Sequence, residues 1–383
     1  MKTLNVGLIG YGFMGRMHSF CYKTIPMIYR NAPRARIVGV STAHEETARA
    51  AAAEIGCEFA TADWRRLIDR DDVDIIDVCS PNASHKDQVI AALRAGKHVY
   101  CDKPLTTSHA DAREIVAAVR QAKGCIHQMT FQNRFFPATL RAKELISEGR
   151  LGRIYHFRAA YLHAGYVDPG RPFTWRMDKA QGGGALVDLG SHIIDLMRHL
   201  LGEFESVCAA TETFVKQRPL PGQPGRTHAV EVDDWAMLTV KMAAGFPGTI
   251  ESSRFAMGVN DELRFEIHGE KGALRFNLME PNWLYFFDNT DPAGNYGGTK
   301  GFKQIECVQR YPDVLLPTPK NSIGWRDSHR HCLRNFVRCV AEGRPASPDL
   351  ADGAAVQHIM DAAYRSAEAG GWVKVDDVGM SDE

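Results

Sequence analysis

The sequence lacks a net charge and lacks any long hydrophobic run. Its 383 residues contain 46 Lys and Arg against 46 Asp and Glu, so no overall field attracts nucleic acid or an anionic membrane. No apolar run approaches the roughly 20 residues that span a bilayer. These absences argue against nucleic-acid and membrane partners and favour a small-molecule partner.

Paired cysteine motifs are also missing. The nine cysteines are an odd number at irregular spacing, without a C-x-x-C pair, which argues against a disulfide framework. The first predicted strand begins by residue 5, which leaves no room for a targeting segment ahead of it. We therefore expect a cytoplasmic protein.

The N-terminal third alternates short β-rich runs with helical stretches rich in Ala and charge. This rhythm predicts an α/β domain over residues 1–130, a Rossmann fold with a doubly wound parallel sheet. The predicted strands are 5–9, 36–40, 75–79, 98–101 and 125–129, and the predicted helices include 45–55 and 86–95.

The rhythm changes near residue 130. After a helix over 138–148, strand-like runs follow without long helices between them, which predicts an α+β domain over 131–383 with a large open antiparallel sheet. These runs are 154–162, 206–214, 235–242, 248–254 and 263–268, and the chain ends with helices over 327–342 and 352–368 that pack back. The Pro- and Gly-rich stretch 216–230 predicts an exposed loop, and 282–323 a less regular segment.

A glycine-dense turn follows the first predicted strand. Gly10, Gly12 and Gly15 have the spacing G-x-G-x-x-G, with Phe13 and Met14 inside it. Between a strand and a helix, this spacing lets a pyrophosphate approach the bare backbone at the helix N-terminus. It predicts a dinucleotide site, and the alternative is a turn that serves packing alone.

The end of the second predicted strand lacks the usual carboxylate. Ser41 and Thr42 stand where an acid would bind the adenosine ribose. Their hydroxyls could bind a 2′-phosphate, but no arginine is adjacent, so NAD and NADP both stay open. Thr42 and Glu45 also have the spacing of a helix capping box.

Polar residues follow three later strands of the same domain. Because ligands of open α/β sheets bind beyond the carboxyl ends of the strands, these residues are candidate cofactor and substrate contacts. An unusual peptide geometry at Pro104, such as a cis bond, would aim the preceding lysine. Arg134 and His85 have structural alternatives, a salt bridge and a helix cap. The candidates are Ser80, Pro81, Asn82, His85, Asp102, Lys103, Gln132 and Arg134.

Three glycines, Gly182 to Gly184, precede a predicted helix that carries Asp188 and His192. Residues four apart share a helix face, so a carboxylate and an imidazole point together. An imidazole can take a hydroxyl proton near neutral pH while an acid orients it. The alternative is an ordinary helix pair.

Two other chemistries are disfavoured. His329, His331 and Cys332 cluster in the sequence, but neighbours on a helix diverge and no second cluster has zinc spacing, so we expect no metal site. The G-x-S-x-G turn that carries the nucleophile of serine hydrolases is absent from the sequence.

Together, G-x-G-x-x-G, the D-K-P at 102–104 and the G-G-G-x-x-x-D-x-x-x-H at 182–192 resemble the glucose-fructose oxidoreductase/inositol dehydrogenase (Gfo/Idh/MocA) family. Segments 231–234 and 268–272 extend the resemblance. It implies an NAD(P)-dependent oxidoreductase in which Lys103 hydrogen-bonds the reacting hydroxyl, His192 is the general base and Asp188 assists it. It also implies a carbohydrate substrate and a homo-oligomer, a dimer or a tetramer.

Two positions depart from the family pattern. The usual E-K-P is D-K-P here, which shortens the acid at Asp102 by one methylene, and Gln132 replaces the usual asparagine. The stretch that contains Tyr161, His163, Trp175 and Arg176 resembles the levoglucosan dehydrogenase-like branch, and these residues are candidate sugar contacts.

Three functions therefore compete. The first is a dehydrogenase acting on a ring hydroxyl, such as C3, of a sugar, anhydrosugar, glycoside or cyclitol. The second is an NAD-dependent glycosidase of the same family without net redox change. The third is a non-catalytic sensor of dinucleotide or sugar, against which the presence of Lys103, Asp188 and His192 argues.

Overall fold

The computed structural model describes residues 3–375 and divides the chain into two units. Unit 1 runs to Phe135 and adds Tyr311–Asn321 and Trp325–Gln357, and unit 2 holds the remainder. The outer ends of the two predicted domains, residues 1–2 and 376–383, lie outside the described residues.

The secondary-structure elements are numbered in chain order. The helices are α1 (Phe13–Ile28), α2 (Glu45–Ile55), α3 (Trp64–Ile68), α4 (His85–Arg94), α5 (His109–Gln121), α6 (Pro137–Ser147), α7 (Ser191–Leu201), α8 (Trp325–Glu342) and α9 (Leu350–Ala369). The strands are β1 (Leu4–Ile9), β2 (Ala35–Ser41), β3 (Phe59–Thr61), β4 (Ile75–Val78), β5 (His98–Cys101), β6 (His127–Met129), β7 (Ile154–Leu162), β8 (Phe204–Glu212), β9 (Gln217–Pro219), β10 (Thr227–Ala229), β11 (Trp235–Met242), β12 (Pro247–Ser253), β13 (Glu262–Gly269), β14 (Gly272–Asn277), β15 (Trp283–Asp288), β16 (Lys303–Glu306) and β17 (Val373–Lys374).

Unit 1 contains a six-stranded parallel sheet with the order β3-β2-β1-β4-β5-β6. Central strands are buried on both faces, as Val6, Leu8, Ile75 and Ile76 show with no exposed surface, which explains their continuous apolar runs. The predicted doubly wound sheet is confirmed. The prediction missed β3, since three residues at a sheet edge carry little pattern.

Unit 2 contains a nine-stranded sheet with the order β16-β15-β14-β13-β7-β12-β11-β8-β17. Strand β13 alternates buried Leu263, Phe265 and Ile267 with more exposed polar residues, which gives the sheet one apolar face. The large open sheet is confirmed, with one correction. Strands β7 and β12 pair in parallel, so the sheet is mixed rather than wholly antiparallel.

Two segments predicted to be irregular contain strands. The stretch 216–230 is mostly exposed, as predicted, but it forms the hairpin β9–β10, and 282–323 contains β15 and β16. The hairpin is anchored by Arg218, whose side chain is 1% exposed and donates hydrogen bonds to the carbonyl oxygens of Tyr166 and Asp168. A buried arginine cannot be recognised from a Pro- and Gly-rich sequence, because its acceptors lie about 50 residues away.

The cysteines and helices agree with the absences noted in the sequence. All nine cysteines fall within the described residues, and each is a free thiol. Among residues 3–375, no helix is both long enough and apolar enough to cross a membrane.

Replacing Arg218 should test this anchor. We expect Arg218→Ala to lower the free energy of unfolding by about 2–3 kcal/mol, because the buried Tyr166 carbonyl oxygen and the Asp168 carbonyl oxygen lose their donor. Arg226→Ala is the matched control, since Arg226 is exposed in the same hairpin and its side chain hydrogen-bonds the Gln223 side chain. Urea unfolding measures both variants, and equal stabilities would contradict the anchoring role.

Candidate functional site

The glycine loop of unit 1 joins β1 to α1. Gly10 has a φ of +93°, and a Cβ there would lie 2.6 Å from the Cys79 carbonyl carbon and oxygen. A Cβ on Gly15 would collide with the Gly10 carbonyl oxygen. These two glycines are therefore required by packing within the chain.

Gly12 differs from its neighbours because a Cβ there would meet no atom within 4 Å. It caps α1 without a side-chain hydrogen bond, and the first turn of this 16-residue helix has no acidic residue. The helix N-terminus thus offers N–H groups and a partial positive charge beside open space. These features fit a dinucleotide pyrophosphate, and Phe13, 67% exposed, flanks the same space.

The end of β2 does not form the predicted capping box. His44 is the N-cap of α2, while the Thr42 hydroxyl donates to the His44 carbonyl oxygen and lies 2.6 Å from the Thr47 hydroxyl. Glu45 instead accepts a hydrogen bond from the Ala62 backbone N–H. Ser41 is buried as the last residue of β2.

The His85 side chain hydrogen-bonds the loop after β4 and the loop after β5. Its ring is fully buried, with Nδ1 2.9 Å from the Pro104 carbonyl oxygen and Nε2 2.8 Å from that of Ser80. Both nitrogens are hydrogen-bonded within the chain, and the predicted cofactor contact stays a prediction. The Ser80 hydroxyl donates to the Gln88 side chain at 2.6 Å, and Pro81 and Asn82 continue this loop.

Lys103 follows β5 at the carboxyl edge of the sheet, and the Lys103-Pro104 peptide is cis, as predicted. The Asp102 carboxylate accepts a hydrogen bond of 2.9 Å from the Lys103 backbone N–H, so the shorter acid shapes this turn. Gln132 is 3% exposed in the turn after β6. Arg134 is buried and lies 3.3 Å from Asp352, which is the ion pair expected as the alternative, and its substrate contact stays a prediction.

In unit 2 the glycine triplet is held by Asp233, a residue whose role the sequence did not indicate. Its carboxylate accepts hydrogen bonds from the Leu186 N–H at 2.7 Å and from the Tyr364 hydroxyl at 2.6 Å. A Cβ on Gly184, whose φ is +118°, would collide with this carboxylate. Burial raises the pKa of Asp233 to about 6.

The helix after the triplet begins with one π-helical turn, Leu186–Gly190, before α7. Asp188 lies in that turn and His192 in the first turn of α7, so the regular helix spacing assumed for them is wrong at this point. Leu186, Leu189 and Ile193 are buried as predicted.

Asp188 forms ion pairs with two arginines. Arg254 lies in direct contact with its carboxylate, and the Arg176 Nε is 3.6 Å from the same oxygen. Burial lowers the pKa of Arg254, but the charge and hydrogen bond of Asp188, together with the nearby Tyr166 and Tyr161, keep that pKa above its ordinary value. The Arg176 guanidinium also lies 4.4 Å from the centre of the Trp175 ring.

A second polar group surrounds Asp261. The Tyr161 hydroxyl donates to Asp261 Oδ1 at 2.8 Å, and His163 Nε2 lies 3.2 Å from the same oxygen. Burial opposes the charge of Asp261, but hydrogen bonds from His163 and Tyr161 lower its pKa. The Tyr161 ring meets the His192 ring edge-on at 5.6 Å between centres.

Sheet topology explains why these residues meet. Leu162 pairs with Ser253 in the parallel pair β7–β12 and with Glu262 in the antiparallel pair β7–β13. His163, Arg254 and Asp261, each adjacent to one of these ends, therefore share one edge of the sheet. The sequence prediction missed Arg254 and Asp261, since only strand pairing brings them to this edge.

One group in the described part of the chain has the atoms of a metal site. His18 Nδ1, Asp77 Oδ1 and Cys79 Sγ are separated by 2.9, 3.0 and 3.2 Å. Ligands of tetrahedral zinc lie roughly 3.3 Å or more apart, given zinc–ligand distances of about 2.0–2.3 Å. The observed separations are those of hydrogen bonds.

Comparisons with known proteins agree with both units. Residues 4–131 match the profile described as "Oxidoreductase family, NAD-binding Rossmann fold", and residues 143–375 match "Oxidoreductase family, C-terminal alpha/beta domain". Levoglucosan dehydrogenase from Pseudarthrobacter phenanthrenivorans is 37% identical over 98% of this chain and 99% of its own length. Myo-inositol 2-dehydrogenase from Thermotoga maritima is 27% identical over 98% and 99%.

A solved structure is similarly close. Levoglucosan dehydrogenase in complex with NADH and levoglucosan superposes with a TM-score of 0.91 at 38% identity, covering 97% of this chain and 99% of that chain.

Two glycine variants should separate ligand binding from packing. We expect Gly12→Val to leave the melting temperature nearly unchanged and to abolish measurable NADH binding, because the new side chain fills only open space. Gly15→Val should lower the melting temperature, because its side chain meets the Gly10 carbonyl. Calorimetric NADH titration and thermal unfolding measure both effects. Undiminished NADH binding by Gly12→Val would exclude this loop as the pyrophosphate site.

Asp233 should make a contribution to the free energy of unfolding that decreases as pH rises. Its folded pKa of about 6 exceeds the ordinary 3.8, so between these values the folded protein holds a proton that the unfolded chain has lost. This contribution declines by about 3 kcal/mol across pH 4–6. Urea unfolding at several pH values should show that Asp233→Asn removes this decline. Asp261→Asn is the contrast, because the folded pKa of Asp261 is lowered and its contribution has the opposite sign.

Proposed function

Because the chain belongs to the Gfo/Idh/MocA family of NAD-binding oxidoreductases, we propose that it oxidises a ring hydroxyl of a sugar, anhydrosugar, glycoside or cyclitol. The observation that carries this proposal is the cluster of polar side chains around Asp188 and Asp261 at one edge of the unit 2 sheet. Two carboxylates, two arginines and two imidazoles stand there with the Tyr161 and Trp175 rings, and polyols are bound by such hydrogen-bonding groups and aromatic faces. We further propose C3 as the position oxidised on a sugar ring, which the sequence resemblance to the levoglucosan dehydrogenase-like branch implies.

The dinucleotide would be held by the glycine loop, and Ser41, Thr42 and the loops after β4 and β5 supply further contacts. When bound, its nicotinamide accepts the hydride that oxidation of a carbinol releases. We propose NAD rather than NADP, since no arginine lies within 41–45 and the similar solved complex contains NADH.

The chain's own residues handle the proton and the orientation of the substrate. In this proposal Lys103 donates a hydrogen bond to the reacting hydroxyl, and the His192 imidazole removes its proton. Asp188 acts as a fixed negative charge, since its ion pairs with Arg254 and Arg176 favour the ionised carboxylate. It thereby favours the protonated form of the nearby general base without itself taking the proton.

We also propose a homo-oligomer in the cytoplasm. The more exposed face of the nine-stranded sheet carries Arg158, Arg264 and Arg275 with Glu266, and a broad open sheet of this kind is commonly covered by a second copy. Light scattering after size-exclusion chromatography measures the subunit number.

Absorbance at 340 nm tests the function directly. Purified protein is offered NAD or NADP with glucose, levoglucosan, myo-inositol and glycosides in turn. Reduction of NAD with one of these substrates is the expected result. Glycoside cleavage without net reduction would instead favour the redox-neutral glycosidase, and NADH binding without turnover of any substrate would favour the sensor.

His192 should be essential for turnover but not for NADH binding. We expect His192→Asn to lower kcat by about 10²- to 10⁴-fold and to leave the Kd for NADH within about threefold of wild type. His156→Asn is the control, since His156 lies on the opposite, outward side of β7 and contacts His268. Near-normal turnover by His192→Asn would eliminate it as the base.

A further inference from the structure

The first turn of α8 packs on the glycine loop of unit 1. The Trp325 ring lies 5.5 Å from the Phe13 ring, measured between centres. Phe13 follows Gly12 directly and is 67% exposed. Helix α8 therefore begins beside the space that Gly12 leaves open.

His329 lies one helical turn after Trp325, and the two ring centres are 4.3 Å apart. Its side chain is 3% exposed, yet neither ring nitrogen has a hydrogen-bond partner within residues 3–375. Buried polar atoms in folded proteins are nearly always hydrogen-bonded. A buried imidazole with neither nitrogen paired therefore indicates a partner that residues 3–375 do not supply.

The charges around His329 make its ring neutral. Burial, followed by the positive charges of His18 and Lys103, lowers the pKa of His329 well below its ordinary value. A neutral imidazole has one donor nitrogen and one acceptor nitrogen. Three residues after His329, Cys332 accepts hydrogen bonds from the Tyr100 hydroxyl of β5 and from the Gln128 amide of β6, so this part of α8 packs on the β5–β6 side of the sheet.

This location corresponds to one end of a dinucleotide. In Rossmann domains the pyrophosphate lies over the first turn and the adenosine over the end of β2. The nicotinamide then lies on the other side, toward the loops after β4 and β5. His329 and Lys103 belong to this second side.

On this side Lys103 offers a bound ligand only donors, whereas the neutral ring of His329 offers an acceptor. The Lys103 ammonium has only donors, and His18 Nδ1 hydrogen-bonds to Asp77 at 2.9 Å. The nicotinamide carboxamide carries an NH₂ group, and this group needs a hydrogen-bond acceptor where water is excluded. We propose that His329 accepts a hydrogen bond from this carboxamide and so recognises the nicotinamide half of NAD(H).

Binding of NADH and ADP-ribose to variants of the full-length protein tests this assignment. ADP-ribose lacks the nicotinamide, so it reports contacts of the adenosine and pyrophosphate alone. We expect His329→Leu to weaken NADH binding at least tenfold in calorimetry and to change ADP-ribose binding less than twofold. His329→Gln, which retains an acceptor, should recover part of the NADH affinity.

His331 provides the matched control on the same helix. It is partly buried, and its ring stacks on Tyr311 at 3.9 Å while its Nδ1 lies 3.1 Å from the Tyr29 hydroxyl. His331→Leu should therefore alter NADH and ADP-ribose binding equally. A His329→Leu protein that weakens both ligands equally, or neither, overturns the proposal.

A wild-type measurement keeps the test decisive if His329→Leu does not fold. In 3-acetylpyridine adenine dinucleotide a methyl ketone replaces the amide, so the NH₂ donor is lost while the carbonyl is kept. Wild-type protein should bind this analogue at least fivefold more weakly than NAD. Equal affinity would show that no acceptor recognises the carboxamide NH₂ and would overturn the assignment.

Discussion

The buried carboxylate of Asp233 fixes the start of the helical segment on which the unit 2 site depends. It binds the Leu186 N–H and the Tyr364 hydroxyl, while its own backbone oxygen accepts from the Ala185 N–H. These bonds hold the glycine turn against the strand region before β11. Because Gly184 has no side chain, the Asp233 carboxylate can approach the backbone closely enough to accept both hydrogen bonds.

From this fixed start, Asp188 and His192 take their places on one continuous helical segment. The Asp188 charge is balanced by Arg254, which follows β12, and by Arg176, which lies in a separate turn. Arg254 also lies 5.0 Å from the centre of the Tyr166 ring. Arg218 in turn donates to the Tyr166 carbonyl oxygen, so a buried hairpin residue supports the segment around the site.

Local pattern was sufficient for most of the secondary structure. Helix α2 and strands β7 and β11 have the predicted bounds, since their periodicity extends over 8 to 11 residues. Three-residue strands such as β3 and β9 carry too few residues for a pattern. The π turn at Leu186–Gly190 was missed because the sequence reasoning assumed a regular α-helix throughout.

The site was predictable where its residues are close in sequence and not where they are distant. The glycine loop, the D-K-P turn and the segment from the glycine triplet to His192 each span 11 residues or fewer. The partners that determine their chemistry come from elsewhere: Arg254 is 66 residues from Asp188, and Asp261 is 100 from Tyr161. Arg134 has an ion-pair partner, Asp352, that lies 218 residues away, so its structural role could not be read from the local sequence.

The single parallel pair in the nine-stranded sheet has an evolutionary consequence. It brings the ends of β7 and β12, together with the beginning of β13, to one edge. Residues just outside the hydrogen-bonded strands lie there, next to the cluster of polar side chains around Asp188 and Asp261. Substitutions at such positions can alter which hydroxyl pattern is accepted while every strand keeps its register. One scaffold of this kind can therefore diversify toward many polyols through changes confined to a few strand termini.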